Sequence, residues 1–315
     1  MPQWRRCEIT CEPYKTQSPI TLRWRDGLEV IRHLFSNPIF ASCMDVQPYR
    51  DYFDGSCVRE WGFKEFMSAN VAWEIQDRLP EGHTFLGVIG TCHRVELGTV
   101  KSDCEKHALL LSIANIHADM RRKEASHAYA LAAYIPVPNF SNVSASEQSI
   151  LARRVYHRCL DIILAELKRA ERHPRWMLDP NGQFRLVHTP LVAWVADCPD
   201  QSMVAGISPT ASALVVASSA SKPAVPLIPI PPHMRQRTLE FIYAACSRTD
   251  PWDLHAFSKT APILGFNGVI PPFWRYWGAA EPSAFLMQDV ADHWRRFFYR
   301  HCLKWIADII GGPSL

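Results

Sequence analysis

Three short apolar runs follow one another in this chain: TFLGVIGT at 84–91, HALLLSIANI at 107–116 and AYALAAYIPV at 128–137. Their lengths and flanking turns fit buried strands, with helix as the alternative for the two Leu- and Ala-rich runs. A helical pattern then occupies 147–172, where Ile150, Leu151, Val155, Cys159, Ile162, Ile163 and Leu167 share one face and Arg and Lys fill the others. Pro174 lies just past its end, and 183–187 and 191–196 read as two further strands. Strand, strand, strand, helix, strand predicts an α/β core in which the helix lies on a sheet.

The flanks differ. Up to about residue 80 the pattern is helical and irregular: Asp26 caps a helix carrying Leu28, Ile31, Leu34 and Phe35, and a second helix spans 64–79. From 206 to 233 the composition turns to Ala, Ser and Pro without an acid, which predicts a linker that packs poorly. The remainder is predicted to be helical at 235–246 and 287–310, with a Pro- and Trp-rich loop between. These shifts divide the chain into a helical region at 1–82, an α/β core at 83–205, the linker at 206–233 and a helical region at 234–315.

Composition excludes several classes. With 48% hydrophobic and 21% charged residues, the chain can bury a core and is not a disordered segment. A net charge of +3 falls short of a dedicated nucleic-acid binder, although Lys and Arg cluster at 121–123, 153–154, 168–175 and 295–300. Each cluster also fits a solvated helix face. The ten cysteines form no Cys-x-x-Cys pair, so no zinc site is expected and the thiols are read as reduced. The opening MPQWRRCEITCEPYK lacks the apolar core of a signal peptide, and no apolar run is long enough to span a membrane. A soluble nuclear or cytoplasmic protein is the expectation.

Six blocks, in order, resemble the Plavaka-type transposases of fungal cut-and-paste DNA transposons: WRDGLEVIRHLFSNPIF, VAWEIQDRLPEGHTFLGVIG, LSIANIHADMRRKEASHAYALAAYIPVP, VAWVADCPDQSMVA, PPFWRYWG and YRHCLKWIADIIG. The resemblance implies an RNase H-like core, with which the strand order is compatible. It also implies DNA as partner and two divalent ions, normally Mg²⁺, held by an Asp-Asp-Glu set. Two-metal phosphoryl transfer needs carboxylates around ions about 3.5–4 Å apart, and Mg²⁺ takes oxygen ligands, for which an imidazole is a poor substitute.

Carried over position by position, the set is incomplete. The family's first Asp falls on His93, within Cys92-His93-Arg94. Its second falls on Asp197, the candidate catalytic and metal ligand, which is equally well placed to form a turn before Pro199. A cysteine-bearing, zinc-binding family insertion is replaced by the Ala/Ser/Pro tract. The late acidic position falls on Gln288, or on Asp289 after a slip of one residue. Asp289 and His293 could then share a metal, or could form an ion-paired helix face beside Arg295 and Arg296. His301 matches a family histidine and also suits a partly buried helix position. The family carries its last Glu on a helix beyond this one, so that ligand is not expected before Leu315.

The leading expectation is therefore a degenerate transposase-derived protein that does not cut DNA and needs no cofactor. Residual DNA contact would run through Arg121, Arg122, Lys123, Lys168, Arg169 and Arg172. Two rivals stand beside it. One is an active Mg²⁺- or Mn²⁺-dependent nuclease using Asp197, Asp289 and a further acid such as Glu96 or Asp103. The other is a decayed reading frame or scaffold without selected activity.

Overall fold

In the computed structural model, which describes residues 1–53, 60–62, 64–96, 105–208, 235–263, 265–278, 280–288, 294 and 298–310, the chain begins as sheet. Strands β1 (Arg5–Ile9) and β2 (Ile20–Trp24) pair antiparallel, with Ile9 opposite Ile20 and Cys7 opposite Leu22. This corrects the expected helical and irregular start. Ile20 and Leu22 are buried while Arg23 is exposed, a period of two that serves a strand with one covered face.

Asp26 caps α1 (Gly27–Phe35) as expected, accepting the backbone N–H groups of Leu28 and Glu29. A small hairpin follows, β3 (Asp51–Phe53) with β4 (Glu60–Gly62). The helix expected over 64–79 is shorter. The Ser68 hydroxyl accepts from the N–H groups of Lys64 and Glu65, holding a 3₁₀ turn at Phe66–Ser68, and α2 spans only Asn70–Gln76.

The first apolar run is two strands rather than one: β5 (His83–Phe85) and β6 (Val88–Glu96) enter different sheets. Asn115 makes the break. Its buried amide donates to the carbonyls of Asp45 and Phe85, and its oxygen accepts the Gly87 N–H at 2.9 Å. Next come β7 (Glu105–Ile113), α3 (Ala118–Arg121) and β8 (Ala130–Pro136). Ser144 and Glu147 form a capping box ahead of α4 (Ala145–Ile163), which breaks at Leu164 from α5 (Ala165–Arg172). The predicted single helix over 147–172 is thus a pair.

Strands β9 (Arg175–Leu178), β10 (Phe184–His188) and β11 (Leu191–Ala196) precede α6 (Cys198–Ala205). Gly206 ends α6 at φ +81, and Ile207 and Ser208 are buried, Ile207 bridging to Phe266. The start of the expected linker is therefore packed; residues 209–233 lie outside the described ones. The C-terminal part holds α7 (Arg235–Arg248), α8 (Leu254–Ile263), α9 (Pro282–Phe285), β12 (Leu286–Gln288) and a helix at Leu303–Ile310. The helix expected from residue 287 is corrected at its start. Buried Phe285 and Leu286 bring the tripeptide against the open edge of β11, where it pairs as a strand.

The main sheet runs β1-β2-β8-β7-β6-β11-β12. Within it β6, β7 and β8 form an antiparallel meander, β11 lies parallel to β6, and β12 lies parallel to β11. A second sheet runs β5-β10-β9. The expected neighbourhood of the first apolar run and 191–196 is realised through β6 and β11, and α4 buries its apolar face in the same core. Asp161 on α4 ties the layers together, taking Lys168 of α5 on one oxygen and Arg275 at 2.8 Å on the other. Among the described residues no helix is long and apolar enough to cross a membrane.

Trp194 of β11, 1% exposed, lies over Gly90 of β6. A Cβ at Gly90 would stand 2.5 Å from the indole, well inside contact distance. Gly90→Ala is therefore expected to cost about 1–3 kcal/mol by overpacking. Denaturant unfolding of the full chain reads this, and an unchanged midpoint would show that the indole moves aside freely.

Candidate functional site

Parallel pairing of β6 with β11 sets Gly90 beside Trp194 and Thr91 beside Val195. Two residues further on, the same alternation brings His93, inside β6, alongside Asp197, the residue just past the end of β11. On the third parallel strand Gln288 pairs with Ala196. Positions 93, 197 and 288, far apart in sequence, thus fall at the same level of three neighbouring strands.

His93 and Asp197 are already engaged. Thr91 Oγ1 donates its one proton to the Val195 carbonyl at 3.1 Å. The same hydroxyl stands 3.1 Å from His93 Nε2, within hydrogen-bond reach. Asp197 is the N-cap of α6, and its Oδ1 accepts the Asp200 N–H at 3.0 Å. Pro199 in the first turn suits that start. One carboxylate oxygen is therefore held by the fold itself. Behind the strand Cys92 packs against Tyr156, and burial pushes its thiol up to about 12, which leaves it protonated and unreactive at neutral pH.

His93 is exposed and faces a cleft of about 470 Å³. The sheet lines one side with Thr91, His93 and Val195; the connection from β7 to β8 lines the other with Arg121 to Glu124 and His127. A 3₁₀ turn at Glu124–Ser126 ends on His127 at φ 51, which turns the chain back towards β8. Arg121 is partly structural, since its guanidinium donates to the carbonyls of Ala114 at 3.3 Å and Ile116 at 2.6 Å. Arg122 pairs with Asp119, and Lys123 is exposed. Three cationic side chains thus line this space, Arg122 being paired with Asp119, and Glu124 is the single acid among the described lining residues.

A pair of Mg²⁺ ions needs several hard oxygen ligands, and a cationic wall raises the energy of any divalent ion beside it. At this place the described residues offer an imidazole already bonded to Thr91, a capping carboxylate and cations. Among them no group of three or more His, Cys, Asp or Glu side chains is arranged to hold a metal. This donor set does not fit the pair. Glu96 belongs to the end of β6, whereas Asp103, Asp289 and His293 lie outside the described residues.

The second basic stretch splits by role. Lys168 is turned inward, its ammonium on Asp161 and on the Phe273 carbonyl at 3.1 Å. Arg169 and Arg172 stay exposed, on Glu166 and on the Tyr276 carbonyl respectively. Sequence reasoning missed the Thr91–His93 bond and the union of His93 with residues 121–123. The first had a signal, because Thr91 and His93 alternate along one strand face. The second is made by a loop whose path no local pattern encodes.

The family model for Plavaka transposase matches residues 1–306, nearly the whole chain. No curated protein and no solved structure gives a significant match.

If position 93 is the missing acid, His93→Asp returns a hard oxygen ligand beside Asp197. Mn²⁺ affinity, read by calorimetric titration, is expected to rise on the order of tenfold. An unchanged affinity would remove residue 93 from any metal site.

Proposed function

The chain belongs to the Plavaka transposase family, and from that premise we propose that it is a transposase-derived protein that contacts DNA without cutting it. The order of the sheet supports reading it as an RNase H-like core: a three-strand meander, then two strands parallel to its first. In such a core metal-binding acids stand at the ends of the first and fourth strands, which here correspond to β6 and β11.

The observation that carries the reading is what stands at the two corresponding positions. His93 occupies the first position with its Nε2 bonded to Thr91, and the adjoining cleft is lined by Arg121, Arg122 and Lys123. Cations lining an open cleft favour a DNA backbone directly, through charge-assisted bonds and counterion release. They work against bridging divalent ions. Arg169 and Arg172 on α5 are exposed as well.

Supercoiled plasmid incubated with Mg²⁺ or Mn²⁺ and the purified chain tests the proposal. No metal-dependent nicking above buffer is expected from the wild type, nor from Asp197→Ala. Robust nicking by the wild type that Asp197→Ala abolishes would establish a working nuclease instead.

A further inference from the structure

Strand register sets one unbroken row of side chains across the antiparallel part of the main sheet. Arg6 lies opposite Arg23, Arg23 opposite Tyr134, Tyr134 opposite Ala108, and Ala108 opposite His93. Residues directly opposite one another in an antiparallel pair project from the same face. The row therefore crosses β1, β2, β8, β7 and β6 on one side of the sheet. At a strand spacing of about 4.8 Å it is about 19 Å long. It ends at His93, which lines the cleft together with Arg121, Arg122 and Lys123.

This side of the sheet is the open one. One step along each strand, Leu22, Ala133, Leu109 and Cys92 are buried and Cys7 packs on the same core. Beneath them lies α4, whose Tyr156 meets Cys92. Arg6, Arg23 and His93, by contrast, are exposed, and Tyr134 and Ala108 are half-buried.

Charge on the open face selects its occupant. Arg23, at the middle of the strand pair, has no acidic partner among the described residues. Arg6 meets Glu8 at 3.3 Å, with both side chains more than half exposed, so the pair is weak and easily exchanged. Glu8 is the single acid on this face among the described residues of the five strands. The aromatic rings are engaged: Trp4 stacks on Tyr134 at 5.8 Å, and Arg25 Cζ lies over Trp4 at 4.2 Å. Arginines on an exposed face that leads into a cationic cleft complement a continuous polyanion, met at its backbone and not by base stacking.

We propose that this face is a track for the phosphate backbone of duplex DNA, running from the cleft across the sheet to the N-terminal strand pair, where Arg23 and Arg6 meet phosphates. The track is long enough to engage several phosphates of one duplex. The proposal rests on the DNA-binding reading above and adds to it the path that the duplex takes over the protein.

Fluorescence anisotropy of the full chain with a labelled duplex, repeated over a series of monovalent salt concentrations, tests the track. Arg23→Gln, at an exposed position, is expected to weaken binding about fivefold and to lower the slope of log affinity against log salt by about one. Arg23→Lys should keep that slope, because the charge stays. Glu8→Gln should tighten binding about twofold by removing the acid from the face, a gain that a damaged fold does not produce. Arg158→Gln takes an exposed arginine from α4, on the other side of the sheet, and should change neither quantity. Unchanged affinity in Arg23→Gln, or equal losses in Arg23→Gln and Arg158→Gln, would overturn the track. If the wild type binds duplex and Arg23→Gln matches it, this proposal alone fails. If the wild type does not bind duplex, the DNA-binding reading fails with it.

Discussion

The parallel register between β6 and β11 governs most of what this molecule places where. It is set by shape: Trp194 fills the space that Gly90 leaves, and a slip of one residue would turn the indole to the other face of the sheet. With the register held, Thr91 reaches the Val195 carbonyl and locks His93, while Asp197 falls at the neighbouring strand end. The same strand then accepts β12 on its other side, extending the sheet from the N-terminal pair to the C-terminal region.

How much of this was legible depended on whether its causes were local. Strand β11 matches its apolar run residue for residue, and the Asp26 cap and α1 follow from adjacent side chains. The division of β5 from β6 is imposed by Asn115, remote in sequence, so TFLGVIGT reads as one strand until that side chain is placed. The break at Leu164 hides for a different reason: Ile162, Ile163 and Leu167 are apolar on both sides of it. Strands β1 and β12 are too short for periodicity to declare them and exist by pairing with a neighbour. At the site, the nearness of 93 to 197 was implied by the family order of blocks. The basic wall facing His93 was not, because a loop delivers it.

The electrostatics of the cleft follow from that wall. A carboxylate at position 93 would attract a divalent ion and through it a phosphate; an imidazole beside Arg121, Arg122 and Lys123 favours the phosphate without an intermediary. Asp197 need not be idle in this arrangement, since it supports the first turn of α6 through Asp200.

The central claim is that DNA is held here by the protein's own cations and not through a metal. Its most direct measurement is duplex affinity in chelator and in Mg²⁺ at matched ionic strength, so that screening is equal in both. The account predicts the same dissociation constant in the two buffers, together with a steep loss of affinity as monovalent salt rises. A gain of about tenfold or more on adding Mg²⁺ would contradict it.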